Sequence, residues 1–62
     1  MEYCATLNWF VNPEKINYIR IRWGGKMYHL VIGFSNEEIN VADSFDYEEL
    51  EKMMKQIYHE LY

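Results

Sequence analysis

A chain of 62 residues has the length of one small domain, here residues 1–62, and buries only about 60% of the surface it exposes when unfolded. Half of its residues are hydrophobic and only one is proline, which excludes disorder by composition. A net charge of −4 argues against coating nucleic acid by bulk attraction, the lone Cys4 excludes an internal disulfide, and no apolar run reaches the ~20 residues of a membrane span.

Tyr3, Ala5, Leu7, Trp9 and Val11 alternate with Cys4, Thr6 and Asn8, which predicts a half-buried strand over residues 3–11. Asn12-Pro13-Glu14-Lys15 ends it, because proline has no amide donor and fixes its own φ. A second strand follows, with Ile19, Ile21 and Trp23 on one face and Tyr18, Arg20 and Arg22 on the other.

Gly24-Gly25 predicts a two-residue hairpin turn that pairs Trp23 with Lys26, Ile21 with Tyr28 and Ile19 with Leu30. Tyr28, Leu30, Ile32 and Phe34 then join Ile19 and Ile21 on the core side. After the turn residues Ser35, Asn36, Glu37 and Glu38, a short fourth strand places Ile39 opposite Phe34 and Val41 opposite Ile32.

The last element is a helix from Tyr47 almost to Tyr62. Asp46 is its N-cap, Glu49 completes a capping box, and Phe45 with Leu50 forms a hydrophobic staple. Leu50, Met53, Met54, Ile57 and Leu61 make one apolar stripe, with Tyr47, Tyr58 and Tyr62 along its flank as a core border. Glu48–Lys52 and Glu51–Lys55 have the spacing and order of stabilising helix pairs. The expected fold is α+β: an antiparallel four-stranded β-meander with one C-terminal α-helix packed on one face (ββββα).

Chemistry-bearing patterns are sparse. Cys4 and His29 are expected on the outer sheet face with no third residue to orient them as a catalytic pair. With His59 they also lack metal-ligand spacing, and Gly24-Gly25-Lys26 lacks the glycine spacing of a phosphate loop. The chain is expected to be no enzyme, to bind no metal and to need no cofactor. No signal-peptide pattern opens it, and with a single cysteine a cytoplasmic location is expected.

Two surfaces remain as binding candidates. Residues 1–34 balance at +2 and residues 35–62 at −6, with eight acids against Lys52 and Lys55 in the second part. The acidic segment offers Glu37, Glu38, Asp43, Glu48, Glu49 and Glu51 to a larger protein with a basic site, although acids in a turn and a first helical turn also serve local structure. The second surface is the sheet face the helix leaves open. Phe10, Tyr18 and Val31 are expected in one row across three strands, with Arg20, Arg22 and His29 in the rows beside it. Arginines interleaved with aromatics suit single-stranded nucleic acid or a nucleotide; the same face could instead join two copies into a homodimer.

Six Tyr, three Phe and two Trp exceed what so small a core encloses, which favours a surface made to be covered. In size and charge the chain resembles the small inhibitors that phages and mobile elements direct at host defence nucleases, anti-CRISPR or anti-restriction in kind. That resemblance implies a non-enzymatic interaction protein that blocks a nucleic-acid-handling protein through its acidic and aromatic surface.

Overall fold

Alternation in the first eleven residues continues through a reversal of the chain rather than along one strand. In the structure, a computed structural model describing residues 1–62, β1 (Glu2–Cys4) and β2 (Trp9–Val11) form a two-stranded antiparallel hairpin. Its loop, residues 5–8, closes where the Asn8 N–H donates to the Cys4 carbonyl at 2.7 Å. Asn8 takes a positive φ of 60°, which asparagine tolerates better than most residues. The expected single strand over 3–11 is therefore corrected: Cys4 now stands opposite Trp9, and Tyr3 opposite Phe10.

Pro13–Lys15 forms one 3₁₀ turn, capped by the Asn12 side chain accepting from the Glu14 N–H at 3.1 Å. Three strands follow in a separate antiparallel sheet of order β3-β4-β5: β3 (Tyr18–Trp23), β4 (Tyr28–Gly33) and β5 (Glu38–Ser44). The sheets are thus two and three strands, both antiparallel, and not one four-stranded meander.

The β3–β4 turn is centred one residue later than the glycine pair predicts. The Gly24 N–H donates to the Met27 carbonyl at 2.9 Å, so the chain reverses at Gly25-Lys26, and Gly25 alone carries the positive φ, +89°. Ile21 faces Leu30 and Ile19 faces Ile32 in place of the expected partners. Moving a turn by one residue slides the pairing by two, and side chains alternate with a period of two. The isoleucines and leucine therefore keep the core side.

On β5 the observed pairs are Ile32 with Ile39, Val31 with Asn40 and Leu30 with Ala42, leaving Val41 as the extra residue of a bulge. The sequence placed Ile39 opposite Phe34 and Val41 opposite Ile32; the chain instead turns tightly at Ser35-Asn36, where the Phe34 N–H donates to the Glu37 carbonyl at 2.8 Å, so the pairing is displaced by two residues before the bulge is reached.

Helix α1 (Tyr47–Leu61) begins and ends where the capping pattern puts it. Its cap is built differently from the expected box. The Asp46 side chain accepts from the Glu48 N–H at 3.0 Å, and the Asp46 N–H donates to Ser44 Oγ at 3.0 Å, the place reserved for Glu49. Phe45 is 72% exposed, so the staple with Leu50 is not made. Neither Glu48–Lys52 nor Glu51–Lys55 forms an ion pair; the three ion pairs of the chain all join strands of the larger sheet.

Leu50, Ile57 and Leu61 meet Ile19, Leu30 and Ile32 from the sheet, and Cys4 and Val11 from the hairpin, in one buried cluster. At about 25 cal/mol per Å² of apolar surface removed from water, this cluster is the main stabilising contribution available to the chain. No helix is long and apolar enough to cross a membrane.

Candidate interaction surfaces

The larger sheet keeps one face without a covering element, and its side chains satisfy one another there. Tyr18, Arg20 and Arg22 on β3 converge on a single carboxylate oxygen, Glu38 Oε2 on β5. The Tyr18 hydroxyl donates at 2.6 Å, Arg22 Nη2 at 2.7 Å and Arg20 Nη2 at 3.4 Å. Glu38 reaches across β4 because Gly33 stands between them in the ladder. The Tyr18 ring lies on Gly33 so closely that a Cβ there would fall inside it. The Arg20 guanidinium in turn stacks 4.3 Å from the Tyr18 ring centroid. The Tyr18 hydrogen bond, and next the Arg22 charge, hold the Glu38 carboxyl below the usual range; the same bond to Glu38 pushes the Tyr18 phenol up.

A second group sits beside it. His29 Nδ1 lies 2.5 Å from Asp43 Oδ1, and the Asn40 amide donates to the same oxygen at 2.8 Å. An ionised carboxylate needs a donor opposite it, so Nδ1 carries the hydrogen. These two bonds, the His29 one first, lower the Asp43 pKa. The His29 ring also occupies the space a Cβ at Gly24 would need. Val31, at 4% exposure, lies between Arg20 and Asn40 in the ladder.

Of the residues the sequence assigned to this face, Tyr18, Arg20, Arg22 and His29 are brought together on it. Phe10 is not: it is on the hairpin, edge-on to Tyr3 at 5.2 Å, and its expected row with Tyr18 and Val31 does not exist. Cys4 is also misplaced by the sequence. It is fully buried beneath the hairpin, away from His29, because the turn at residues 5–8 reverses which side it faces.

The acidic segment divides. Glu38 and Asp43 are partners of bases on the open face, and the carbonyl of exposed Glu37 closes the β4–β5 connection by accepting from the Phe34 N–H at 2.8 Å. Glu48 and Glu49 are exposed and Glu51 half-buried on the helix, all three without an ion-pair partner. Glu49 and Glu51, two residues apart, point to different flanks of α1.

Two features carried no signal in the sequence pattern. Trp23, Tyr28 and Tyr47 form a continuous aromatic row, with ring centroids 4.8 and 5.4 Å apart. Trp23 is 57% and Tyr47 44% exposed, so Tyr47 is no core border but the outer end of a surface row. The other feature is Glu60, which accepts from the Thr6 N–H at 2.9 Å, the Thr6 hydroxyl at 2.7 Å and the Cys4 thiol at 3.1 Å. The Thr6 bonds, with the Cys4 bond after them, hold the Glu60 carboxyl below its ordinary value; burial, then Glu60, pushes the Cys4 thiol up. This bond set clamps the hairpin to the last turn of the helix. No group of three His, Cys, Asp or Glu side chains is placed to hold a metal ion.

Comparison of the chain with protein-family models, curated proteins and solved structures finds no match.

Proposed function

We propose that the chain is a small non-enzymatic interaction protein that docks on a larger protein with a basic, nucleic-acid-handling site and blocks it, in the manner of a phage or mobile-element inhibitor. The observation that supports this reading is the distribution of unpaired charge beside exposed aromatics. Both arginines are held by Glu38 on the sheet, whereas Glu48 and Glu51 have no ion-pair partner. These two acids share the first turns of α1 with Tyr47, the end of the Trp23–Tyr28–Tyr47 row. Aromatic rings supply rigid contact area at low entropic cost, and adjacent acids steer a basic partner into place.

The test is capture from a bacterial lysate with identification by mass spectrometry, followed by association kinetics with the captured protein. Glu48→Lys combined with Glu51→Lys should slow association, and the wild-type rate should fall as salt rises. Asp46 stays intact so that the helix cap is not lost. A doubly reversed variant that remains folded and associates at the wild-type rate overturns the reading. So does wild-type protein that binds a single-stranded oligonucleotide through Arg20 and Arg22 with steep salt dependence.

A further inference from the structure

The hairpin and the larger sheet share no strand ladder, and a hollow of about 230 Å³ is left between β2 and the β4–β5 turn. Trp9, Phe10 and Val11 of β2 line it, together with Phe34 and Ile39, which flank that turn. Its charges are Lys15, from the 3₁₀ turn, and Glu37, from the β4–β5 turn. Both are exposed, and neither takes part in an ion pair. Lys15, Phe34 and Glu37 also border a second hollow of about 420 Å³, which reaches Ser35 and Asn36. The cleft is thus apolar at the hairpin end and polar at the turn end, with one cation and one anion where the two hollows meet.

We propose that this cleft binds a free α-amino acid with a large apolar side chain, its carboxylate beside Lys15, its ammonium beside Glu37 and its side chain among Trp9, Phe10, Phe34 and Ile39. Two requirements select this class of ligand. Aromatic and aliphatic atoms that face a hollow lack contact partners on that side, so an apolar group entering it gains dispersion and leaves water. The hollow lies below the ~300 Å³ at which pockets for larger small molecules begin, which leaves room for one side chain and not for a lipid tail. Charge supplies the second requirement. A ligand bearing only an anion would meet Glu37 as well as Lys15, and one bearing only a cation would meet Lys15 as well as Glu37. A compact zwitterion satisfies both. The backbone that presents these charges is already in place: the Phe34 N–H bond to the Glu37 carbonyl closes one turn, and the Asn12 cap closes the other. The site shares no residue with the acidic surface of α1, so the two readings stand or fall separately.

The test titrates the intact, isotope-labelled chain with phenylalanine, phenylalanine amide, phenylpropanoate and glycine, followed by NMR. Phenylalanine should give saturable shifts in the low-millimolar range expected of so small a ligand, largest at the Trp9 indole N–H, Phe34 and Ile39. The amide lacks the carboxylate and phenylpropanoate lacks the ammonium, and each should bind about threefold more weakly, the worth of one exposed ion pair. Glycine, without the side chain, should bind at least about tenfold more weakly. Lys15→Gln should abolish the preference for phenylalanine over its amide and keep that over phenylpropanoate; Glu37→Gln should do the converse. Both side chains are exposed and outside any ion pair, so neither variant threatens the fold. Absence of saturable shifts, equal binding of phenylalanine, its amide and phenylpropanoate, or shifts centred on Trp23, Tyr28 and Tyr47 overturns the proposal.

Discussion

Asn40 and Asp43 lie three positions apart on β5, yet both face the open side of the sheet, where the Asn40 amide donates to Asp43 Oδ1 at 2.8 Å. In a regular strand an odd separation puts side chains on opposite faces. The extra residue, Val41, restores the match.

Deleting Val41 should therefore straighten β5 without changing any pairing. Ile39 stays opposite Ile32 and Asp43 opposite His29, because the bulged residue has no partner of its own. The cost should be ~1 kcal/mol, the share of a valine that is only half-buried. Cross-strand Hα contacts by NMR check this; loss of the His29–Asp43 pair would show that the bulge sets the register.

Gly33→Ala puts a methyl group where the Tyr18 ring lies. The ring can swing away, but only by giving up its bond to Glu38. Stability should fall by ~1 kcal/mol or more. The Tyr18 phenol, raised mainly by that bond, should titrate nearer its ordinary value, read by ultraviolet absorbance against a Tyr18→Phe control.

Glu60 makes the hairpin's attachment sensitive to acid. Its carboxyl is depressed when folded and ordinary when unfolded, so between those values the unfolded chain binds more protons. The stabilisation is complete above the ordinary carboxylate pKa and is lost as pH falls through the depressed one. Glu38 and Asp43 act in the same direction. Melting temperatures from about pH 2 to 7 should drop on the acid side. Glu60→Gln should melt lower at neutral pH and show a shallower acid slope.

Cys4 is fully buried and its thiol is raised above the ordinary value, first by burial and then by Glu60. Alkylation by iodoacetamide at neutral pH should be slow in the folded chain and become fast on adding denaturant. Rapid labelling of the native protein would mean that the hairpin opens readily.

Asp46→Ala should cost ~0.5–2 kcal/mol, because its side chain holds the Glu48 N–H. Ser44→Ala should also destabilise, by freeing the Asp46 N–H, whereas Glu49→Gln should change little since its side chain takes no part in the cap. Chemical denaturation of the three variants decides between the Ser44 cap and a box closed by Glu49.

The helix start was legible because capping is local: Asp46 and the apolar stripe lie within a few residues of what they organise. The core side of β3 and β4 was legible although the turn centre was off by one, since a two-residue slide preserves parity. The hairpin was not. Its turn has no glycine or proline, its alternation reads as one strand, and Asn8 was the only residue suited to the positive φ. The open-face network was half legible. The bases on β3 were placed correctly, but Glu38 and Asp43 read as members of an acidic run, because composition does not say which side of a strand an acid takes. The Glu60 clamp had no local trace, with its partners 54 and 56 residues away.

That distance has a consequence for how the chain acquires its shape. The hairpin that carries Cys4 and Thr6 leaves the ribosome ahead of the carboxylate that fixes it, which belongs to the last turn of the helix. Closing so long a loop is entropically unfavourable until the intervening sheet and helix have shortened it. The hairpin should thus be synthesised before the sheet and the helix and be locked only after them. Until then it remains the part of the nascent protein most open to chaperones and proteases.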